Sequence, residues 1–210
     1  MIYSSYNQKL MIMKNVRTTK RGILYLGFLS LSLLVIHACD NGNPDDSKEI
    51  AEDQNEERFD DRKSEKDANF LVEAAAINLE EIKLGELAQQ KGTMADTKAL
   101  GKMMVDEHKA ALADLKALAA DKAITIPEVL TEDGQDAYDD LQEESGMDFD
   151  KEYCSMMVRG HRSAIRKFEK ASSNAEDSDI RNFASSMLPS LRTHLEHSEA
   201  CKEKCKDQKK

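Results

Sequence analysis

Four residues of this 210-residue chain have the types and the spacing to hold a metal ion: Glu81, His108, His161 and His194. Each lies on the apolar stripe of a segment with helical periodicity, so each is expected to face a core rather than solvent. One carboxylate with up to three imidazoles is a donor set that borderline transition metals such as zinc or copper accept. Met104 and Met157, one turn before His108 and His161, add soft thioethers nearby. Another small ligand is a second use of the same cluster. A purely structural network is a third, because buried Glu and His are costly unless paired, and Glu81 with His108 can satisfy each other.

Catalysis is not indicated. Carboxylate-bridged di-iron chemistry needs a Glu-x-x-His from each of two helices. Here the residues three before His108, His161 and His194 are Val105, Val158 and Leu191. Serine, cysteine and glycine-rich catalytic motifs are also absent. The chain reads as a binding or structural protein rather than an enzyme.

The cysteines follow the same spacing. Cys154 is seven residues before His161 and Cys201 seven after His194, so in an antiparallel hairpin they face each other two turns beyond the histidines. A Cys154–Cys201 disulfide is expected, leaving Cys205 over. A soft-metal edge along His194, His197, Cys201 and Cys205 is the competing reading.

The elements that must position these groups are all helical. Ala, Leu, Met, Glu and Lys dominate the second part of the chain, and no segment alternates as a strand would. Four long helices are predicted, at about 67–91, 94–122, 147–172 and 178–205. The first two and the last two are separated by only a few residues, which makes two antiparallel hairpins. A crossover over 123–146, opened by Pro127, carries a short helix around Ala137, Tyr138 and Leu141. Two hairpins joined by a long crossover is the ferritin-like four-helix bundle. Within the first hairpin, Glu81 and His108 differ in height by about 6 Å at 1.5 Å per residue. Side chains tilt toward their own helix N-terminus, which closes that gap. The second hairpin repeats the relation for His161 and His194.

The N-terminus gives an address. Lys14, Arg17, Lys20 and Arg21 precede an apolar run over 22–36, followed by His37-Ala38-Cys39. This is the pattern of a secretory signal peptide over residues 1–38. It resembles a bacterial lipobox, with Cys39 as the lipidated first residue of the mature chain. The run is short for a membrane-spanning helix. Residues 40–66 contain 11 acids, 5 bases and almost no apolar side chains. With Cys39 they are expected to form a disordered tether, residues 39–66, before a domain at 67–205 and a charged tail at 206–210. Loss of residues 1–38 moves the net charge from −10 to −15. Such acidity argues against nucleic acid as a partner. The membrane, reached through lipidated Cys39, is the partner expected, and a protein partner stays open.

Several stretches resemble the domain of unknown function 4142 family: 80–88 (EEIKLGELA), 104–108 (MVDEH), 145–153 (SGMDFDKEY), His161 and 188–194 (LPSLRTH). They span about Phe70 to Cys201. The resemblance implies a ferritin-like helical fold in the bacterial envelope, favouring the outer membrane facing the periplasm, and implies no activity. One departure is Gly160, where the family often has an acid directly before the third-helix histidine, so a carboxylate that would orient His161 is missing.

Overall fold

A computed structural model of the chain describes residues 46–207. The expected signal peptide, the lipidation site Cys39 and residues 208–210 lie outside the described residues. The chain divides into two units, 1–41 and 42–210, and every described residue belongs to the second. Among the described residues there are six helices and no strand. No helix among them is long and apolar enough to cross a membrane.

The four long helices are α2 (Arg62–Lys91), α3 (Ala95–Asp121), α5 (Gly146–Asn174) and α6 (Ser178–Asp207). Local chemistry sets their ends. Asp61 accepts from the backbone N–H groups of Lys63 and Ser64 and so caps α2. Past the end of α3, Ala123 takes the left-handed conformation, with φ 55°. There the Ile124 N–H donates to the Ala119 carbonyl and the Ala123 N–H to that of Ala120, a Schellman-type closure. α2 pairs with α3 and α5 with α6, and further contacts join α2 to α5 and α3 to α6. In the α2–α3 pair the backbones approach closely at two glycines. A Cβ at Gly101 would stand 2.7 Å from the Gly85 carbonyl oxygen, and one at Gly85 would stand 2.7 Å from that of Gly101.

The crossover carries α4 (Glu132–Glu143), capped by Thr131 accepting from the Gly134 N–H. The tether expectation needs correction here. Instead of a structureless arm through residue 66, α1 occupies Ser47–Arg58 and α2 begins at Arg62. Composition argued against order because α1 has little apolar surface to bury. Its attachment is polar instead. Asn55, fully buried, donates its amide to the Thr125 carbonyl and accepts from the Thr125 N–H, both at 2.8 Å. Ser47 donates to the carbonyls of Val129 and Leu130, and Asp46 accepts from the Glu132 N–H. Asn55 thus completes both backbone groups of Thr125, a residue of the irregular crossover that has no helix to satisfy it.

The core is in two parts. One is built on Leu71, Ala74, Leu115, Phe168 and Ile180, the other on Leu84, Met104, Phe149, Tyr153 and Met157. The two clusters leave out a buried polar group: Asn78, Glu81, His108, His161 and His194. On α3, His108 falls between Met104 of one cluster and Leu112 of the other, and on α5, His161 falls between Met157 and Ala164.

Candidate metal centre

Three of the four residues singled out by spacing converge. The rings of His108, His161 and His194 have centroids 5.1 to 5.7 Å apart, and one ligand nitrogen from each lies within 4.8 Å of the others. All three residues are buried, at 1 to 3% exposure. α3 supplies the first, α5 the second and α6 the third, so both hairpins are needed to assemble the set.

Each ring is held from outside by an oxygen atom. His108 Nδ1 is 2.9 Å from Asn78 Oδ1, whose amide nitrogen donates to the Ala74 carbonyl and is thereby fixed in orientation. His161 Nδ1 is 2.9 Å from the Met157 carbonyl, one turn back on the same helix. His194 Nε2 is 2.8 Å from Glu107 Oε2, which also accepts from Ser190. A neutral ring carries one N–H and one lone pair, and an outer acceptor takes the N–H. The inward atoms are then His108 Nε2, His161 Nε2 and His194 Nδ1, all with lone pairs. His108 Nε2 has no hydrogen-bond partner although it is buried. His161 Nε2 and His194 Nδ1 face each other at 3.2 Å. Two lone pairs at that distance repel unless a proton or a cation lies between them.

Electrostatics keep the rings neutral. Burial pushes His108 well below the ordinary imidazole range, with the neighbouring rings of His161 and His194 adding to it. Burial brings His161 down to about 4. Burial also lowers His194, against the pull of Glu107. Glu107 is held below the usual carboxylate range by the Ser190 hydroxyl, helped by His194, and is ionised at neutral pH. Neutral imidazoles with oriented outer N–H groups are the form in which histidine ligates metals, and an outer carboxylate or carbonyl raises their basicity.

The donor set fits a tetrahedral borderline ion. Nitrogens about 2.0–2.1 Å from one zinc ion stand about 3.3 Å apart. The His161–His194 pair already has this spacing, and His108 has to close by less than about 1.5 Å. A cavity of about 30 Å³ lies beside His108 and His194, bordered by Asn78, Glu107 and Ser190. It has room for a water molecule and the polar walls to hold one.

Glu81, the fourth residue expected among the ligands, stands apart. Its Oε1 lies 3.6 Å from His161 Nδ1, the nitrogen already committed to Met157, and too far for a hydrogen bond. It does not pair with His108, whose partner is Asn78. Burial raises its carboxyl to about 8, and Oε2 has no partner. A Cβ at Gly160 would come within 3.1 Å of Oε1. In place of the carboxylate missing next to His161 in sequence, the Glu81 carboxyl stands at that ring from another helix, just outside bonding range. Met157 contributes its carbonyl to the centre, and its side chain packs in the core cluster with Met104 and the cysteines. Spacing did not single out Glu107 or Ser190. Their signals were adjacency to His108 and a position one turn before His194.

Seven residues from the histidines, Cys154 and Cys201 are joined by a disulfide, with Cα atoms 5.9 Å apart, and Cys205 is a buried free thiol.

A helical protein with a buried three-histidine cluster between two hairpins is the class defined by fold and site. The family model for the domain of unknown function DUF4142 matches residues 53–201, and the chain belongs to that family. The match begins within α1, ahead of the Phe70 from which the sequence resemblance was read. A solved structure of a DUF305 fragment from Deinococcus radiodurans has a similar fold, with a TM-score of 0.59 and 9% identity. That likeness covers 66% of this chain and 95% of the fragment. None of the curated proteins matches the chain.

Proposed function

We propose that this protein is a lipid-anchored component of the bacterial envelope whose ferritin-like four-helix bundle binds a transition-metal ion, zinc or copper, on His108, His161 and His194. The observation that carries the metal reading is the convergence of three lone-pair nitrogens, each with its other ring nitrogen tied to an oxygen. His108 Nε2 is buried without a hydrogen-bond partner, which leaves its lone pair available to an ion. The reading is one of binding rather than catalysis, because the Glu-x-x-His pairs of di-iron chemistry do not occur in the sequence, and the cavity beside His108 and His194 has room for a water molecule. The address rests on the sequence pattern ending in Ala38-Cys39, with the outer membrane favoured.

The test uses the full chain in detergent, stripped with a chelator and titrated with zinc, copper and nickel. Binding tighter than about 10 μM is expected, weakened more than about 100-fold in His108→Ala and His161→Ala. Asn78→Ala and Glu107→Ala are expected to cost about 10–100-fold through loss of ring orientation. Labelling with palmitate, lost in Cys39→Ala, checks the anchor separately. The 3.2 Å His161–His194 contact favours one other reading, a metal-free network with a proton between the rings. It requires that the histidine variants change melting temperature alone and that no metal binds in this range.

A further inference from the structure

The disulfide does not account for all the sulfur around it. Cys205 Sγ lies 3.9 Å from Cys154 Sγ and 3.6 Å from Met94 Sδ. The ligand atoms of Cys154, Cys201 and Cys205 fall within 4.8 Å of one another, and all three residues are at most 3% exposed. Met104 and Met157 belong to the same core cluster, and Met94, Met103 and Met156 pack against it. A covalent staple needs two sulfurs. The third thiol and the thioether beside it are left over.

We propose that this sulfur cluster, once its disulfide is reduced, binds one cuprous ion through Cys154, Cys201 and Cys205, with Met94 as fourth donor. Thiolate and thioether are the soft ligands that select Cu(I), and a thioether distinguishes the set from an ordinary zinc site. Two sulfurs about 2.3 Å from one ion are about 3.8 Å apart in a tetrahedral site and about 4.0 Å in a trigonal one. The distances from Cys205 to Cys154 and to Met94 already have nearly that span. Cys201 has to part from Cys154, which reduction allows. A dithiol supplies two electrons and two protons, the Sγ–Sγ bond breaks, Cys154 and Cys201 become thiols, and the dithiol becomes its own disulfide. Each thiol that then ligates as thiolate releases its proton to solvent.

Burial, with the charges of Asp150 and Asp96, holds the Cys205 thiol above its ordinary range, partly offset by Lys151. The same negative field favours an incoming cation. Access exists: a surface hollow of about 220 Å³ bordered by Asp96, Met103, His197 and Lys204 reaches Cys201. His194 and Cys201 are seven residues apart on α6, about 10 Å of rise, so this site is distinct from the histidine centre.

The full chain in detergent is titrated anaerobically with Cu(I) against a chromophoric cuprous chelator, before and after dithiol reduction. The histidine centre is present in both states and cancels in the difference. One extra equivalent is expected in the reduced protein, with sulfur neighbours in copper X-ray absorption. Cys205→Ser, which keeps the disulfide pair, is expected to weaken that equivalent at least about 100-fold, and Met94→Leu about tenfold. Equal uptake by the oxidised and reduced protein would overturn the proposal. So would unchanged affinity in Cys205→Ser, nitrogen neighbours alone, or loss of helical circular dichroism on reduction.

Discussion

At the scale of the residue, the histidines and Glu81 pull stability in opposite directions with pH. His161 falls from 6.5 in the unfolded chain to about 4 when folded. The unfolded state therefore holds more protons between those values. Its contribution is fully present above about pH 6.5 and is lost as pH falls toward 4. Glu81 rises from 4.5 to about 8, so its contribution is present below pH 4.5 and is lost as pH rises through 8. At neutral pH the folded protein therefore carries Glu81 as a protonated, unpartnered carboxyl, at a cost. Glu81→Gln keeps the shape and removes the titration. In the presence of a chelator we expect its melting temperature at pH 7.5 to rise by about 3–8 °C, a gain of about 1–2 kcal/mol, with little change at pH 4.5. An equal effect at both pH values would mean that Glu81 acts by packing alone. The residue scale was largely legible in the sequence. His108, His161 and His194 could be found because each is a polar residue at an apolar helical position. Glu81 meets the same criterion but stands outside the group that the three histidines form. A stripe fixes which face a residue occupies to within a turn, whereas a ligand set depends on a few tenths of an ångström and on which atom faces inward. Asn78, three residues before Glu81, carries no ligand chemistry of its own, so its part in holding His108 was invisible until the two met.

At the scale of the element, the least legible helix is α1. Hydrophobic periodicity could not reveal it, because its buried residues are only Ala51 and Asn55 and its single large apolar residue, Ile50, is 42% exposed. Its order comes from hydrogen bonds to a backbone about seventy residues away, which no local pattern encodes. Asn55→Ala removes both bonds and leaves the Thr125 N–H and carbonyl without their partner. We expect a loss of about 1–3 kcal/mol in urea unfolding, together with faster amide exchange at Thr125 and through α1. Unchanged exchange across Ser47–Arg58 would show that α1 is held by something else. The end of α3 allows the opposite kind of change. Ala123 adopts a φ that costs an L-residue about 1 kcal/mol and a glycine little. Ala123→Gly is therefore expected to raise stability by up to about that amount, read from the urea midpoint, despite glycine's larger unfolded entropy. The four long helices, by contrast, were read from sequence to within a few residues, because each has a continuous apolar stripe and short polar turns. The start of α2 is the exception. The sequence reading began it at residue 67, and the structure begins it at Arg62 with the Asp61 cap.

At the scale of the molecule, the two hairpins hold each other by a reciprocal device. Asp150 on α5 accepts from the N–H groups of Thr93 and Met94 at the α2–α3 turn. Asp67 on α2 accepts from those of Glu176 and Asp177 at the α5–α6 turn. A constant offset of 83 residues carries Asp67 to Asp150, Thr93 to Glu176 and Met94 to Asp177. The same offset carries Asn78 to His161, so the two residues that begin the polar centre on α2 and α5 occupy equivalent places. Each hairpin thus fixes the far turn of the other with a buried carboxylate and meets it again in the middle at the histidines. These ties are expected to act independently. Asp150 and His161 are eleven residues apart on one helix, about 16 Å, beyond the range at which stability effects couple. Asp150→Ala removes the acceptor of two backbone N–H groups and of the Thr93 hydroxyl, and is expected to cost about 2–4 kcal/mol. If the proposed ion binds at the three histidines, it stabilises by its own affinity, about 2.7 kcal/mol at a concentration 100 times its Kd. That gain should be the same in Asp150→Ala as in the parent, to within about 0.5 kcal/mol. Thermal melts of both proteins with and without zinc give the comparison. A gain that disappears in Asp150→Ala would show that the histidines assemble only while the turn is held, making the centre a reporter of hairpin docking rather than a preformed site.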